Sequence, residues 1–140
     1  LILGGVEIPY DRGLDGHSDA DVVLHAVCDA ILGALGKGDI GEHFPNTDAR
    51  YRGISSLVLL EKVKAVADQE GYAVGNIDCV IQAEEPNLKR YKPQMRANIA
   101  AKLSVDEKAV NIKATTQEGL GSIGKKEGIA AFATVLLVRR

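Results

Sequence analysis

The sequence predicts a single α+β domain spanning residues 1–140, with a mixed sheet of about four strands and three helices on one face. Its length fits one domain and is too short for two. Apolar residues follow helical spacing in three segments and form short continuous runs elsewhere. The last run, Ile129–Val138, is apolar on both faces and therefore needs cover on both sides. Three helices cover only one face, so we expect the other face to pack against further copies of the chain.

The first elements are a short hairpin and a helix. Two apolar runs within residues 1–8 are separated by a pair of glycines, as in a hairpin or a bent strand. Ser18, followed three residues later by Asp21, has the spacing of a capping box. We therefore expect the first helix to begin at Ser18 and to end near Gly36 or Gly38.

A second helix and a strand occupy the middle of the chain. Ser55 or Ser56 is placed to cap the helix, and Gly71 is placed to end it. The following segment, Ala73–Ala83, is rich in β-branched and apolar residues and predicts a strand.

The C-terminal part adds one helix and two strands. Pro93 occupies the favoured first turn of a helix over Gln94–Leu103. Ala109–Thr115 and Ile129–Val138 are predicted strands, and a glycine-rich loop separates them.

Composition narrows the class of protein. The net charge is −2, which argues against a broad nucleic-acid surface. No apolar run approaches the ~18 residues that a membrane span requires. Cys28 and Cys79 lie in apolar runs without metal-ligand spacing, so we expect buried, reduced thiols.

The beginning of the chain bears on its location. No signal peptide is visible, and the chain begins at Leu1 within an apolar pattern, so we expect the natural N-terminus to lie upstream. A cytoplasmic location is the prediction, with a plastid location as the alternative if a transit peptide has been removed.

Polar residues cluster where the first helix is expected to begin. His17 and Ser18 would lie at the helix N-terminus, where free N–H groups attract anions. Asp21, His25 and Asp29 follow at intervals of four and share one helix face. His25 is therefore either a ligand-binding residue or a histidine held between two carboxylates. A solvent-facing row of paired charges is the alternative for the whole cluster.

Two loops contain further candidates. Asp39, Asn46 and Asp48 have the oxygen atoms to bind the hydroxyl groups of a polyol, although the same residue types are common in turns. The proline-containing loop that begins at Ala83 can present backbone groups to a flat ligand such as a base. An ordinary connection is the alternative.

The glycine-rich loop is a candidate phosphate site. Lys113, Thr115 and Thr116 end a strand, and Glu118 and several glycines follow. Hydroxyls, backbone amides and a lysine can cradle a phosphate, and Glu118 can hold a divalent ion beside it. The order of a Walker loop is absent, and an ordinary loop remains the alternative. No nucleophilic triad and no zincin pattern is visible.

Together these segments resemble the 2-C-methyl-D-erythritol 2,4-cyclodiphosphate synthase family. The resemblance rests on DGHSDADVVLHAVCDAILGALGKGDIGEHFPNTD and KATTQEGLGSIGKKEGIAA, with PQMR between them, and it covers essentially the whole chain. It implies a homotrimer with active sites between subunits. The implied reaction converts 4-diphosphocytidyl-2-C-methyl-D-erythritol 2-phosphate into a cyclic diphosphate and CMP, in the non-mevalonate route to isoprenoid precursors.

The resemblance also implies roles for individual residues. His25 would be a ligand of Zn²⁺, and Glu118 would bind a second divalent ion, Mg²⁺ or Mn²⁺. His17 and Ser18 would bind a phosphate, and His17 and Thr116 would take part in catalysis. The methylerythritol part would contact Asp39, Ile40, Gly41, Phe44, Pro45, Asn46, Thr47 and Asp48.

The remaining implied contacts lie in the second half of the chain. The neighbouring subunit would enclose the cytosine with Ala83, Glu84, Glu85, Pro86, Asn87, Leu88 and Lys89. Thr115 and Thr116 would hold the diphosphate, with Gln117 and Glu118 beside it. Ser122 and Lys125, with Glu127, would lie near the trimer axis, where the family has a cavity for isoprenoid diphosphates.

Two features depart from the family pattern. The N-terminal Asp-x-His motif that supplies two further zinc ligands is absent from this chain. Ser122 and Lys125 stand where many relatives have an aromatic residue and an arginine, and a lysine keeps the charge without the bidentate geometry. Two rival functions stay open. One is a metal-dependent phosphohydrolase, and the other is a non-catalytic trimer that binds nucleotides or isoprenoid diphosphates.

Overall fold

The computed structural model describes all residues from 1 to 140. Two short strands form a hairpin near the N-terminus, and three strands form the main sheet. The strands are β1 (Ile2–Leu3), β2 (Val6–Glu7), β3 (Tyr72–Gln82), β4 (Val110–Thr115) and β5 (Ala130–Arg139). The helices are α1 (Val22–Ala34), α2 (Ile40–His43), α3 (Ser56–Gln69), α4 (Lys92–Leu103) and α5 (Gly121–Gly124).

The main sheet is mixed, in the order β4-β3-β5. β3 lies at its centre and pairs parallel with β4 and antiparallel with β5. A register shift between Val74 and Asn76 marks a bulge in β3. The α+β class is confirmed, but the prediction of about four strands is wrong, because β1 and β2 pair only with each other.

The three long helices pack side by side against one face of the sheet. α1 contacts β5, α3 contacts β3, and α4 contacts β4. Alternate side chains of the central strand, Ile77, Cys79 and Ile81, point into this layer and are buried. The helices therefore seal one side of the sheet, as the sequence predicts.

The other face of the sheet is open. Phe132 is 61% exposed, and Leu136 and Val138 on the same face of β5 are also exposed. The expectation that the helices leave one apolar face of this strand without cover is confirmed.

Both cysteines are free thiols buried in the core. Burial raises the pKa of the Cys79 thiol to about 12 and that of Cys28 further still. The prediction of buried, reduced thiols is confirmed.

Most element boundaries follow the sequence signals. Ser55 caps α3 by accepting a hydrogen bond from the Leu57 N–H, and Pro93 lies in the first turn of α4. The start of α1 differs, because the helix begins at Val22 with Asp21 as its cap, and not at Ser18. None of the helices is both long and apolar enough to cross a membrane.

Candidate functional site

A cavity of about 400 Å³ opens between α1, α2 and the start of α3. Two imidazoles, a serine hydroxyl and the loop after α2 meet in it. Its walls are formed by His17, Ser18, His25, Ile40, Gly41, Phe44, Pro45, Asn46, Thr47, Tyr51 and Leu59. Nine of these eleven residues were named in the sequence analysis, from their chemistry or from the family resemblance. The fold brings together the segment around the start of α1 and the loop after α2, which are separate in the sequence.

The segment before α1 explains how His17 and Ser18 reach the cavity. Ala20 has a φ of +58°, which turns the chain sharply between two aspartates. The backbone N–H of Asp19 donates to the carbonyl of Ile54, and the backbone N–H of Gly53 donates to the carbonyl of His17. The loop before α3 therefore holds this segment. The prediction that His17 and Ser18 lie at the helix N-terminus is wrong, because the helix begins later.

Asp21 makes the helix cap and also anchors the hairpin. Its carboxylate accepts hydrogen bonds from the N–H groups of Leu24 at 3.0 Å, Gly4 at 2.9 Å and Gly5 at 2.7 Å. The side chain is completely buried, and burial raises its pKa to about 6, even though these three donors act in the opposite direction. Asp21 is thus a structural residue that faces the hairpin.

The ring of His25 lies among hydroxyl groups. Its Nε2 is 3.0 Å from Ser56 Oγ and 3.2 Å from Ser18 Oγ. The proposed arrangement between two carboxylates is wrong, because Asp21 bonds to the hairpin and Asp29 accepts from the N–H of Ile40. Burial lowers the pKa of His25, and the nearby negative charges of Asp19 and Asp29 only partly offset that effect.

His17 is held by the loop that follows α2. Its Nε2–H donates to the backbone carbonyl of Asp48 at 2.8 Å, because a carbonyl can only accept. In the neutral ring the remaining nitrogen, Nδ1, is then an acceptor. Only the imidazolium form of His17 can donate a hydrogen bond from Nδ1 to an anion in the cavity.

The segment from Asp39 to Asp48, which includes α2, forms one wall of the cavity, but the side chains of its two aspartates bond outside the cavity. Asp39 caps α2 by accepting from the Glu42 N–H, and Asp48 binds the guanidinium of Arg50 through both oxygens. The hydrogen bond from Arg50 lowers the pKa of Asp48. Neither aspartate lines the cavity, whereas six of the eight residues between them do.

A second cavity of about 450 Å³ lies at the end of β3 and β4. The loop after β3 and the end of β4 line it together, because the parallel strands end at the same edge. Its residues are Ala83, Glu84, Glu85, Pro86, Asn87, Leu88, Lys89, Lys92, Ala114, Thr115 and Thr116. The predicted base-binding loop and the predicted diphosphate site therefore meet in one cavity, which shares no residue with the first.

The glycine-rich loop continues from this second cavity. The N–H of Gln117 donates to the carboxylate of Glu84 at 3.1 Å, which ties the two loops together. Glu118 has a φ of +54° and is exposed, and its N–H donates to Thr116 Oγ1. Ser122 lies in α5 and Lys125 ends it, and both are exposed and lie outside the two cavities.

The described residues do not form a complete metal site. No group of three histidine, cysteine or acidic side chains is close enough to hold an ion. His25 is the one predicted zinc ligand that lines the first cavity, and Glu118 stands alone beside the second. A zinc ion at His25 would need protein ligands beyond those gathered here.

Sequence reasoning missed three residues of the site. Tyr51 and Leu59 line the cavity, and Ser56 is fully buried against His25. The pair of serines at the start of α3 could have indicated Ser56, because a helix needs only one of them as its cap. Ser55 has that role, so a second, buried hydroxyl is available for another partner.

A small α+β domain whose cavity holds two imidazoles and a serine hydroxyl is typical of a ligand-binding or catalytic protein. The sequence model of the YgbB family matches residues 1–138. The chain therefore belongs to the YgbB family.

Named relatives cover the full chain. The protein called 2-C-methyl-D-erythritol 2,4-cyclodiphosphate synthase in Geotalea uraniireducens is 59% identical over all of this chain and 89% of its own length. The protein of the same name in Geobacter metallireducens is 57% identical, with the same coverage. The resemblance predicted from the sequence motifs is confirmed.

Solved structures share the fold. The bifunctional IspDF of Campylobacter jejuni matches with a TM-score of 0.96 and 45% identity over the whole of this chain, which spans 38% of that longer protein. The IspF of Plasmodium falciparum, described as a CDP complex, matches with a TM-score of 0.88 and 35% identity, over 100% of this chain and 84% of that one.

Proposed function

We propose that this chain converts 4-diphosphocytidyl-2-C-methyl-D-erythritol 2-phosphate into 2-C-methyl-D-erythritol 2,4-cyclodiphosphate and CMP. The reaction is that of a phosphorus-oxygen lyase. The observation that carries the proposal is the cavity in which His17, Ser18 and His25 meet, in a chain 59% identical over its full length to a protein named as that synthase. The cytoplasmic location stays a prediction.

The chemistry suits a site without a strong base. The nucleophile is an oxygen of the substrate's own 2-phosphate, which attacks the β-phosphorus of the diphosphate. The bond from that phosphorus to the bridging oxygen breaks, and CMP leaves with the electron pair. A phosphate monoester is already mostly anionic at neutral pH, because its second pKa is about 6. The protein must therefore orient the two phosphates and offset their repulsion.

Residues of the first cavity have suitable groups for this task. The Ser18 hydroxyl and an imidazolium at His17 can donate hydrogen bonds to phosphate oxygens. Gly41 and the segment from Phe44 to Thr47 form an uncharged wall, which suits the methylerythritol part. Phe44 packs edge-on against Tyr51, with ring centroids 5.3 Å apart, and this contact holds the wall in place.

We place the cytidine and the diphosphate in the second cavity, contributed by a neighbouring subunit of a homotrimer. Thr115 and Thr116 would bind the diphosphate, and the loop from Ala83 to Lys89 would enclose the base. The open apolar face of β5 supports self-association, because an exposed apolar face of this kind is a common interface. The isoprenoid diphosphate at Ser122 and Lys125 stays a prediction.

Metal dependence is part of the proposal. His25 would provide one imidazole ligand to Zn²⁺, and Glu118 one carboxylate to Mg²⁺ or Mn²⁺. When bound, such ions act as Lewis acids and templates that reduce the charge repulsion between phosphates.

Phosphorus NMR of the protein with the cytidylyl substrate, zinc and magnesium tests the proposal. A cyclic diphosphate signal that grows with equimolar CMP is the expected result. His25→Gln should slow its appearance about 100-fold or more, in line with the loss of one positioned catalytic group. The matched control is His43→Gln, because His43 bonds to the carbonyl of Lys37 and does not line the cavity.

Two other outcomes would contradict the proposal. Release of inorganic phosphate would indicate a phosphohydrolase. An unchanged spectrum in the presence of both metals would leave a binding protein as the explanation.

A further inference from the structure

The carboxylate of Asp19 accepts hydrogen bonds from three donors just outside the first cavity. Its Oδ1 lies 2.5 Å from Ser56 Oγ and 3.2 Å from the N of Asp21. Its Oδ2 lies 3.0 Å from the N of Ser56. Two of these partners are backbone N–H groups that can only donate, so this carboxylate acts throughout as an acceptor.

The hydrogen bond from Ser56 to Asp19 determines the direction of the hydrogen bond between Ser56 and His25. A serine hydroxyl has one hydrogen, and at 2.5 Å this hydrogen is given to Asp19. The contact between Ser56 Oγ and His25 Nε2, at 3.0 Å, must therefore be one in which the ring donates. Nε2 of the neutral His25 ring carries the hydrogen, and Nδ1 carries the lone pair.

The same count applies to the hydroxyl of Ser18. Its oxygen lies 3.2 Å from Nε2 of His25 and 3.4 Å from the N of Ala20, and both of these nitrogens are donors. The hydroxyl hydrogen of Ser18 is therefore not used within the chain. Nδ1 of His25 also has no partner in the chain and is not sealed from solvent.

We propose that Asp19, acting through Ser56, fixes the neutral tautomer of His25 and thereby presents an unprotonated Nδ1 and a free Ser18 hydroxyl hydrogen to the cavity. Asp19 and Ser56 do not line the cavity themselves, so they are positioning residues. The inference deepens the proposed function and depends on it only for the identity of the ligand.

The direction of these hydrogen bonds decides what the cavity can bind. A free hydroxyl hydrogen at Ser18 suits an anionic oxygen, and an unprotonated ring nitrogen at His25 suits a cation or an acidic hydrogen. The opposite tautomer would present an N–H at this position, which could not accept either of them. Asp19 therefore sets a donor and an acceptor side by side in one cavity.

Nitrogen NMR of the full chain with ¹⁵N-labelled histidine tests the tautomer without substrate or metal. The chain has three histidines, and His17→Gln and His43→Gln assign the signals. The spectra are recorded at about pH 8, where the ring of His25 is neutral because burial lowers its pKa from the ordinary value of 6.5. We expect Nδ1 of His25 to show the strong downfield shift of an unprotonated nitrogen, and Nε2 the shift of an N–H.

Asp19→Ala should remove the constraint on Ser56. Without the carboxylate, the Ser56 hydroxyl is free to donate its hydrogen to Nε2 of His25, and the ring hydrogen can then move to Nδ1. We expect both His25 nitrogens to move to averaged positions in this variant, and likewise in Ser56→Ala.

Ser55→Ala is the matched control, because Ser55 belongs to the same helix start and bonds only to the N–H of Leu57. It should leave the His25 signals unchanged. The inference is overturned if the wild type has its hydrogen on Nδ1, or if every folded variant of Asp19 and Ser56 keeps the wild-type signals. Because the tautomer is measured without turnover, a failed synthase assay and a failed tautomer test remain distinguishable.

Discussion

Oδ2 of Asp21 lies 2.7 Å from the backbone nitrogen of Gly5, so a helix cap and a hairpin turn share one carboxylate. The two residues are sixteen positions apart. Gly4, the other residue of the turn, donates to the second oxygen of the same side chain. The first turn of α1, which contains His25 of the cavity, is therefore fixed by the hairpin.

The charge of this carboxylate should make the fold less stable as the pH rises. Burial raises the pKa of Asp21 from 3.8 to about 6, so the unfolded chain releases this proton first. The free energy of unfolding then falls between these two pH values, by about 2 kcal/mol from pH 4 to pH 7. Urea unfolding of the wild type and of Asp21→Asn at both pH values measures this difference.

Other carboxylates titrate in both proteins and cancel in the comparison. We expect the Asp21→Asn variant to lack this decrease, so that the wild type loses stability relative to it as the pH rises. Parallel pH profiles for the two proteins would show that Asp21 titrates normally.

The hairpin turn should tolerate no side chain at Gly4. Its φ is +59°, and an added Cβ would lie 2.5 Å from Cγ of Met95. Gly36→Ala is the matched control, because Gly36 has a φ of +69° and open space around it. We expect Gly36→Ala to cost about 1 kcal/mol of stability from the backbone alone. Gly4→Ala should cost ~1–3 kcal/mol more, because the contact with Met95 must be relieved.

Thermal unfolding of both variants measures the two costs. Equal losses in the two proteins would mean that α4 moves away from the turn without a penalty.

Local signals predicted most of the fold, and contacts between distant segments explain the differences. Ser55, Pro93 and Gly71 act within their own turns, so their helices begin or end where expected. The start of α1 depends on Asp21 reaching the hairpin, and no local pattern describes that bond. Ser18 has the spacing of a cap, but the positive φ of Ala20 places it before the helix.

In the candidate site, too, local sequence signals identified some residues, and contacts between distant segments account for those that were missed. Reasoning from residue chemistry alone identified four of the eleven residues of the first cavity, because imidazole, hydroxyl and amide groups are distinctive, and the family resemblance added five more. Ser56 and Tyr51 were missed because each has an ordinary local role, in a helix start and in a turn. Only the folded chain brings Ser56 against His25, which is thirty-one residues away.

Self-association through the open face of the sheet should be sensitive to a single charge. Phe132→Asp places a carboxylate on an apolar surface that we propose is buried between subunits. We expect a folded monomer in analytical ultracentrifugation, with loss of the cyclase activity. Val58→Asp is the control, because Val58 is also exposed but lies on α3. A variant Phe132→Asp that sediments as the wild type would place the interface elsewhere.

Mixed trimers test whether the two cavities act across subunits. His25→Gln impairs the first cavity and Thr116→Val the second, so each variant alone should be inactive. When the two are co-expressed in equal amounts, about a quarter of the interfaces in a cyclic trimer pair two intact cavities. We expect about that fraction of the wild-type activity in the purified hybrids.

Hybrids of the wild type with each variant serve as controls for subunit exchange. If these controls are active and the double hybrid is not, both cavities must belong to one site within the same subunit.

The packing of α1 on β5 also sets the order in which the protein can be completed during synthesis. α1 ends at Ala34 and β5 begins at Ala130. The ribosome must therefore synthesise roughly 100 further residues after α1 before the strand that packs against this helix is available. The central strand β3 likewise lacks both of its neighbours when it emerges. Apolar segments of the nascent chain therefore stay uncovered until the last strand is made, and chaperones have their opportunity to bind in that interval.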